Sequence, residues 1–476
     1  VITTAWRRPV PALPIPLVLA AGTLLVVACS AAAFLKGSPS LFLLGAGLLT
    51  LVAIAYLSVW TGPALFVGLG LAGTLVSGYS RHIGLPIGPD RILVVAALGA
   101  LALQLPGVNR SRQITWRPVH ALALAAVAYA VVNAQAAGTL LTAKGFYGLL
   151  DRLGIVPIVV FVLAPLLFPD RRSRDVLLKV LVGIGAYLAV TAVAEQFHLN
   201  ALIWPKYIID PSVGIHFDRV RGPFAEAVAM GLALYACAVA GAVAVATWTR
   251  GWQRKAAGVV SAACLLCTIF TLTRAVWVAT VVATLATLLV SPLTRRFLTP
   301  LLVAGVLGIA ALLVVVPGLS QHTAQRTADE GPVWERYATD AAAIRATEAH
   351  PLFGIGWNRW LDVNQQYLRQ GADYPLTKTV GTIEVHNMFL AHLSELGIVG
   401  ITLWALALVA ALVAAVLRPG PAELDPWRAG MIALALHWAI VGGLGPLSYA
   451  FPNLLLWMWA GITGIGFLSA PRPVDA

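Results

Sequence analysis

Four side chains in this sequence combine a type that can do chemistry with a position where an apolar chain has no need of it. Arg219 and Arg221 lie in "DRVRGPF", Arg274 in "TLTRAVW", and His386 opens "HNMFLAHLSELGIVG" at the edge of a membrane-like run. A guanidinium stays charged at any physiological pH and grips phosphate oxygens in a two-pronged geometry. An imidazole takes a proton near neutrality, which suits a general base for a hydroxyl. Together they suit group transfer from a lipid pyrophosphate headgroup. Each also has a plainer reading alone: an arginine can anchor a helix at the interface with its stem in the apolar layer, and His386 can be an interfacial hydrogen-bonding residue. Arg274 resists that reading. It interrupts an otherwise apolar stretch, 256–291, at a hairpin tip, while the basic residues at 250–255 and 295–296 mark the opposite side. A positive charge set against the cytoplasmic bias is explained by an anion outside. His350, His216 and His392 are weaker candidates, His392 falling within a span. Glu395 is expected to pair with another span, and Glu384 to orient His386.

What is missing narrows the chemistry. The segments read as outside hold no Asp-x-Asp pair and no His/Glu cluster with metal spacing, so neither a metal nor a cofactor is expected. No close carboxylate pair suggests a retaining glycosidase, and no Walker motif suggests an ATP-driven pump. Cys264 and Cys267 have CxxC spacing but sit inside an apolar run with no second pair, and read as buried small hydrophobes. A sugar already attached to a lipid pyrophosphate fits these absences, because cations can stabilise the departing phosphate.

The elements that must position these groups are membrane helices. The 476 residues are 59% hydrophobic and only 11% charged, against about 25% charged in soluble proteins. The expected fold is all-α, a polytopic membrane protein with about twelve to fourteen spans and one large extracytoplasmic loop. The net charge of +12 reads as topology and not as nucleic-acid binding: basic clusters such as "PDRRSRD" and "WTRGWQRK" fall between spans, as the cytoplasmic-side bias requires. The organisation expected is N-terminal spans over 1–194, spans carrying the arginine motifs over 195–317, the large loop over 318–386, and C-terminal spans over 387–476. Within the loop, 332–349 has helical spacing with Trp334, Tyr337, Ala341, Ile344 and Thr347 on one side, and "HPLFGIGWNRW" reads as a stop and a turn.

"RVRGPFAEAVAMG", "TLTRAVW", "ERYATDAAAIRATEAHPLFGIGWNRW" and "VHNMFLAHLSELGIVG", in that order and spacing, resemble the O-antigen ligase and O-antigen polymerase superfamily over residues 195–468. The resemblance implies a GT-C fold and a metal-independent, inverting glycosyltransferase on the outer face of the cytoplasmic membrane. Such an enzyme moves glycan from a polyprenyl (undecaprenyl) pyrophosphate donor to a hydroxyl of a glycan or lipid-glycan acceptor. By position, Arg221 and Arg274 would hold the pyrophosphate and His386 would deprotonate the acceptor. Arg336 falls where the family has an arginine at the start of the loop helix. Arg219, His350, Glu384 and Asn387 are further candidate contacts to loop or acceptor. Two departures stand out: "AEA", with Glu226, replaces an Asn-Pro-Asn pattern, and "TLTRAVW" replaces Ser-Arg-Gly, leaving Thr273 as a hydroxyl partner. A polymerase shares this chemistry and differs in acceptor. A lipid-linked glycan flippase or exporter would also bind pyrophosphate, but would spread its charges through the mid-membrane instead of gathering them at one face.

Overall fold

Hydrocarbon offers a backbone no water, so each spanning segment must pair its own N–H and C=O groups, and a helix does so. The computed structural model describes residues 53, 62–83, 88–104, 116–316, 318–328, 330–371, 376, 380–417 and 420–464. Among them every regular element is helical. Seven helices are long and apolar enough to cross a membrane: Pro118–Ala136, Ala143–Leu167, Arg171–Gln196, Ala227–Thr247, Gly251–Thr271, Arg295–Val315 and Met388–Leu417. The chain is a multi-pass, all-α membrane protein.

The expected spans near 11–35 and 40–57 lie outside the described residues, residue 53 apart. Others are shorter than expected. The apolar run 61–78 holds a helix of 11 residues, Pro63–Gly73, followed by a turn and a 3-10 segment. The run 452–469 holds one of 14 residues, Ala450–Thr463. A straight crossing needs about 20 residues, so hydropathy overstated the length of these helices.

The chain divides into two compact units, residues 1–113, 166–180 and 469–476 in one, residues 114–165 and 181–468 in the other. In the first, Pro63–Gly73 packs on Pro89–Gln104. The second contains every candidate residue. At its centre, Asp425–Gly443 packs against Ala227–Thr247, Arg274–Val290, Met388–Leu417 and Ala450–Thr463. The Ala- and Gly-rich sequence of Ala227–Thr247 lets neighbours approach closely, which is how helices associate where lipid supplies no hydrophobic drive. Cys264 and Cys267 are buried, as expected, and their thiols point at the Gly185 and Ala189 carbonyls.

The loop helix forms over Gly331–Ala349, with Pro332 in its first turn. Its buried face is made of small residues. Tyr337 and Ile344 are exposed, and Ala338, Thr339, Ala342, Ala343 and Ala346 face inward. The helix lies against Met388–Leu417, and small residues permit that approach where Trp or Tyr would hold the backbones apart.

Beyond it, "FGIG" and "SELGIVG" form a backbone clasp. Ile355 N donates to Ser394 O (2.9 Å), Gly356 N to Glu395 O (3.1 Å) and Ile398 N to Pro351 O (2.8 Å). The long helix breaks its regular geometry at Gly397 (φ 68°, ψ −177°) to offer these groups. A Cβ on Gly397 would stand 2.3 Å from Leu352 O, and one on Gly354, also at positive φ, 2.4 Å from Glu395 O. The turn is fastened on its other side by Asn133, which donates to Phe353 O (2.9 Å) and accepts from Trp357 N (2.7 Å).

Candidate active site

His386 is placed from both sides. Val385, before it, is buried in the cluster formed by Ala342, Ala343, Ala346 and Trp360. Asn387, after it, caps the long helix, its Oδ1 accepting from Phe389 N (3.0 Å) and Leu390 N (3.2 Å). The side chain expected to contact loop or acceptor is thus a helix cap. Burial, then the positive charge of Arg336, hold the His386 imidazole below its ordinary 6.5, with Glu335 and Glu384 opposing. The ring is therefore mostly neutral at pH 7 and able to accept a proton. Its Nδ1 is buried and makes no hydrogen bond of normal geometry, although the Glu384 backbone lies close enough to favour the charged ring.

Arg336, in the second turn of the loop helix, joins the histidine to the arginine motifs. Its guanidinium is pushed below the usual arginine value by burial and by Arg274, with Asp340 opposing and Arg219 adding to the depression. Three cations therefore share one electrostatic neighbourhood. Asp340, one turn along, is itself raised by burial to about 6, against the pull of Arg336. The backbone explains the gathering of Arg219 and Arg274: Val220 N donates to Phe270 O (3.2 Å), tying the "RVR" segment to the turn that precedes Arg274. Arg274 is the first residue of its helix and reaches toward Thr327 O (3.5 Å). Thr273, expected as a hydroxyl partner, precedes the Arg274 helix and donates to Thr271 O (2.9 Å).

Arg221 does not have the place expected of it. Only 1% of it is exposed. Its guanidinium donates to Ile208 O (2.8 and 3.2 Å), to Asp210 O (2.5 Å) and to Val213 O, and lies over the Phe217 ring. Its own backbone N–H, with that of Gly222, donates to the Glu195 carboxylate (3.1 and 2.9 Å). Arg221 holds the 208–213 loop in place, and Arg219, two residues earlier, is the member of the pair whose charge is felt at Arg336. Glu226 is likewise explained. It caps Ala227–Thr247 by accepting from Val228 N and Ala229 N (3.2 and 2.7 Å), and it meets His216 Nδ1 at 3.3 Å.

The remaining candidates separate. His350 ends the loop helix and is exposed, 14 residues or about 21 Å along it from Arg336. His392 is sealed between Trp357 and Trp404, its Nδ1 against Met388 O (2.8 Å). Glu395 pairs with Arg152, as expected of it. Glu384 faces Ser448 (Oγ to Oε2, 3.2 Å) and lines a cavity of about 580 Å³ whose floor holds that Arg152–Glu395 pair. Arg152 carried no signal in sequence, being one arginine in "LLDRLG" among apparently generic spans.

Residues 259–405 match the family model described as O-antigen ligase, a stretch that includes Arg274, Arg336 and His386. No curated protein and no solved structure matches the chain. Over this segment the chain is similar to the O-antigen ligase family, which supports the resemblance to the O-antigen ligase and polymerase superfamily.

Proposed function

We propose that the protein transfers glycan from a polyprenyl pyrophosphate donor to an acceptor hydroxyl, by inversion and without a metal, at the extracytoplasmic face of the cytoplasmic membrane. Arg219, Arg274 and Arg336 hold the pyrophosphate and His386 is the general base. The acceptor O–H gives its proton to His386, through Nε2 because Nδ1 is buried. The acceptor oxygen forms the new bond to the anomeric carbon. The bond from that carbon to the phosphate oxygen breaks, and its electron pair leaves on the pyrophosphate, where guanidinium groups stabilise the charge as it grows. Ligase and polymerase use this same step and differ in what carries the hydroxyl.

The observation that carries this reading is the gathering of three cations, from a loop, a helix start and a loop helix, close enough that Arg274 and Arg219 weaken the hold of Arg336 on its proton. Like charges brought together in a partly buried place are costly, and a dianionic headgroup relieves the cost. The same cations supply the charge that a metal provides in other transferases. The test is transfer from an undecaprenyl-pyrophosphate-linked glycan by purified protein with EDTA present. Undiminished transfer is expected; activity lost in EDTA and restored by magnesium or manganese would overturn the metal-free mechanism.

A further inference from the structure

The cavity beside His386 has the wrong charge for the donor. Its lining carries two cations, Lys144 and Arg152, and four carboxylates, Asp151, Asp362, Glu384 and Glu395, while the phosphate-binding cations Arg219, Arg274 and Arg336 are not part of it. A pyrophosphate would be repelled here. The volume, about 580 Å³, falls within the roughly 300–1,000 Å³ of ordinary ligand sites. Its form is a bowl: Lys144, Tyr147, Leu361 and Asp362 are exposed at the rim, and the Arg152–Glu395 pair is sunk at the floor, those side chains only 10% and 2% exposed. The Nε of Arg152 is buried there without a hydrogen-bond partner. Glu384 and Val385 form one wall, so the wall ends at His386.

Carboxylates that accept from hydroxyls, with an exposed tyrosine face beside them, can recognise sugar rings and repel anionic ones. We propose that this cavity is the acceptor subsite, taking a short, hydroxyl-rich stretch of glycan without acidic groups, whose attacking hydroxyl reaches past Glu384 to His386. The proposal rests on the transferase reading above, with the donor held by the arginines and the acceptor by this bowl. It divides the two substrates by charge, the anionic headgroup going to the cationic site and the sugar without acidic groups to the acidic one, which keeps either from occupying the other's place.

The test uses the full chain in detergent against two probes. One is undecaprenyl pyrophosphate, followed by native mass spectrometry. The other is a glycan array of neutral, amino-bearing and uronic-acid oligosaccharides. Binding to neutral members is expected, falling about tenfold or more in Asp362→Asn and Leu361→Trp, both rim positions whose change spares the core. Undecaprenyl pyrophosphate binding in those variants should stay within about twofold of the parent. A preference for uronic-acid members, neutral binding unchanged in both variants, or a blank array beside intact lipid binding would each overturn the cavity's role and leave the donor site standing. Failure of the parent protein to bind undecaprenyl pyrophosphate would strike the donor reading instead.

Discussion

At the scale of single residues, the site depends on opposing charges around one imidazole. Burial and Arg336 favour neutral His386, while Glu335 and Glu384 favour its protonated form. A base works only when deprotonated, so transfer should fall as pH drops through the His386 pKa, which lies below 6.5. Arg336→Gln removes a group that lowers this pKa, and the acid limb of kcat/KM should move to higher pH. Glu335→Gln removes a group that raises it, and the limb should move lower. Asp340, at about 6, titrates in the same window and is also lowered by Arg336, so the downward displacement in Glu335→Gln, read from full pH–rate profiles, is what identifies His386. Limbs that stay together in both variants would assign the ionisation elsewhere. Arg219 and Arg221 teach a related lesson. Two arginines in a short irregular segment have no periodicity to say which turns inward. The choice is made by the carbonyls of Ile208, Asp210 and Val213, which a local reading of "DRVRGPF" does not contain.

At the scale of elements, the clasp between "FGIG" and "SELGIVG" ties the end of the loop helix to the helix that His386 precedes. The positive φ of Gly397 and the carbonyl 2.3 Å from its missing Cβ leave no room for a side chain. Gly397→Ala should therefore shift the start of the long helix and with it His386. Because a small misplacement of a catalytic group is expensive, transfer should drop by about 10²-fold with undecaprenyl pyrophosphate affinity little changed. Transfer rates measured beside lipid binding would show this, and a fully active Gly397→Ala protein would mean that the clasp does not set the base. Much of the element scale was legible in sequence. The loop helix was marked by its spacing, its end by Pro351 and Gly354, and the long helix by its apolar run. The partnership of the two glycine motifs was not, because it joins residues some forty positions apart through backbone groups that any sequence possesses. The inward face of Gly331–Ala349 was not marked by its spacing for a comparable reason. Aromatic residues mark a buried stripe in water, but here close backbone approach selects alanine.

At the scale of the whole molecule, the chemistry is assembled from distant parts. Residues 114–165 read as generic spans, yet they belong to the same compact unit as the arginines and supply Asn133 to the clasp and Arg152 to the acidic cavity. The seven long apolar helices establish a membrane protein, and the basic clusters predict which side the loop faces. Gln325 lies exposed in that loop, and the described cysteines are buried. A Gln325→Cys protein should react with an impermeant maleimide in intact spheroplasts. Labelling only after lysis would invert the topology and remove the site from the extracytoplasmic face.

The proposed convergence of Arg219, Arg274 and Arg336 on one headgroup belongs to the whole molecule, since each comes from a different part of the chain. Its most direct test is the affinity for undecaprenyl pyrophosphate of the three single Arg→Ala proteins beside His386→Ala. Charge-assisted hydrogen bonds contribute about 1.5–3 kcal/mol each, so each arginine variant should bind roughly 10- to 150-fold more weakly. His386→Ala should bind as the parent does while losing about 10²–10⁴-fold in transfer rate. Parental affinity in all three arginine variants would contradict the assignment and leave these side chains as interfacial anchors.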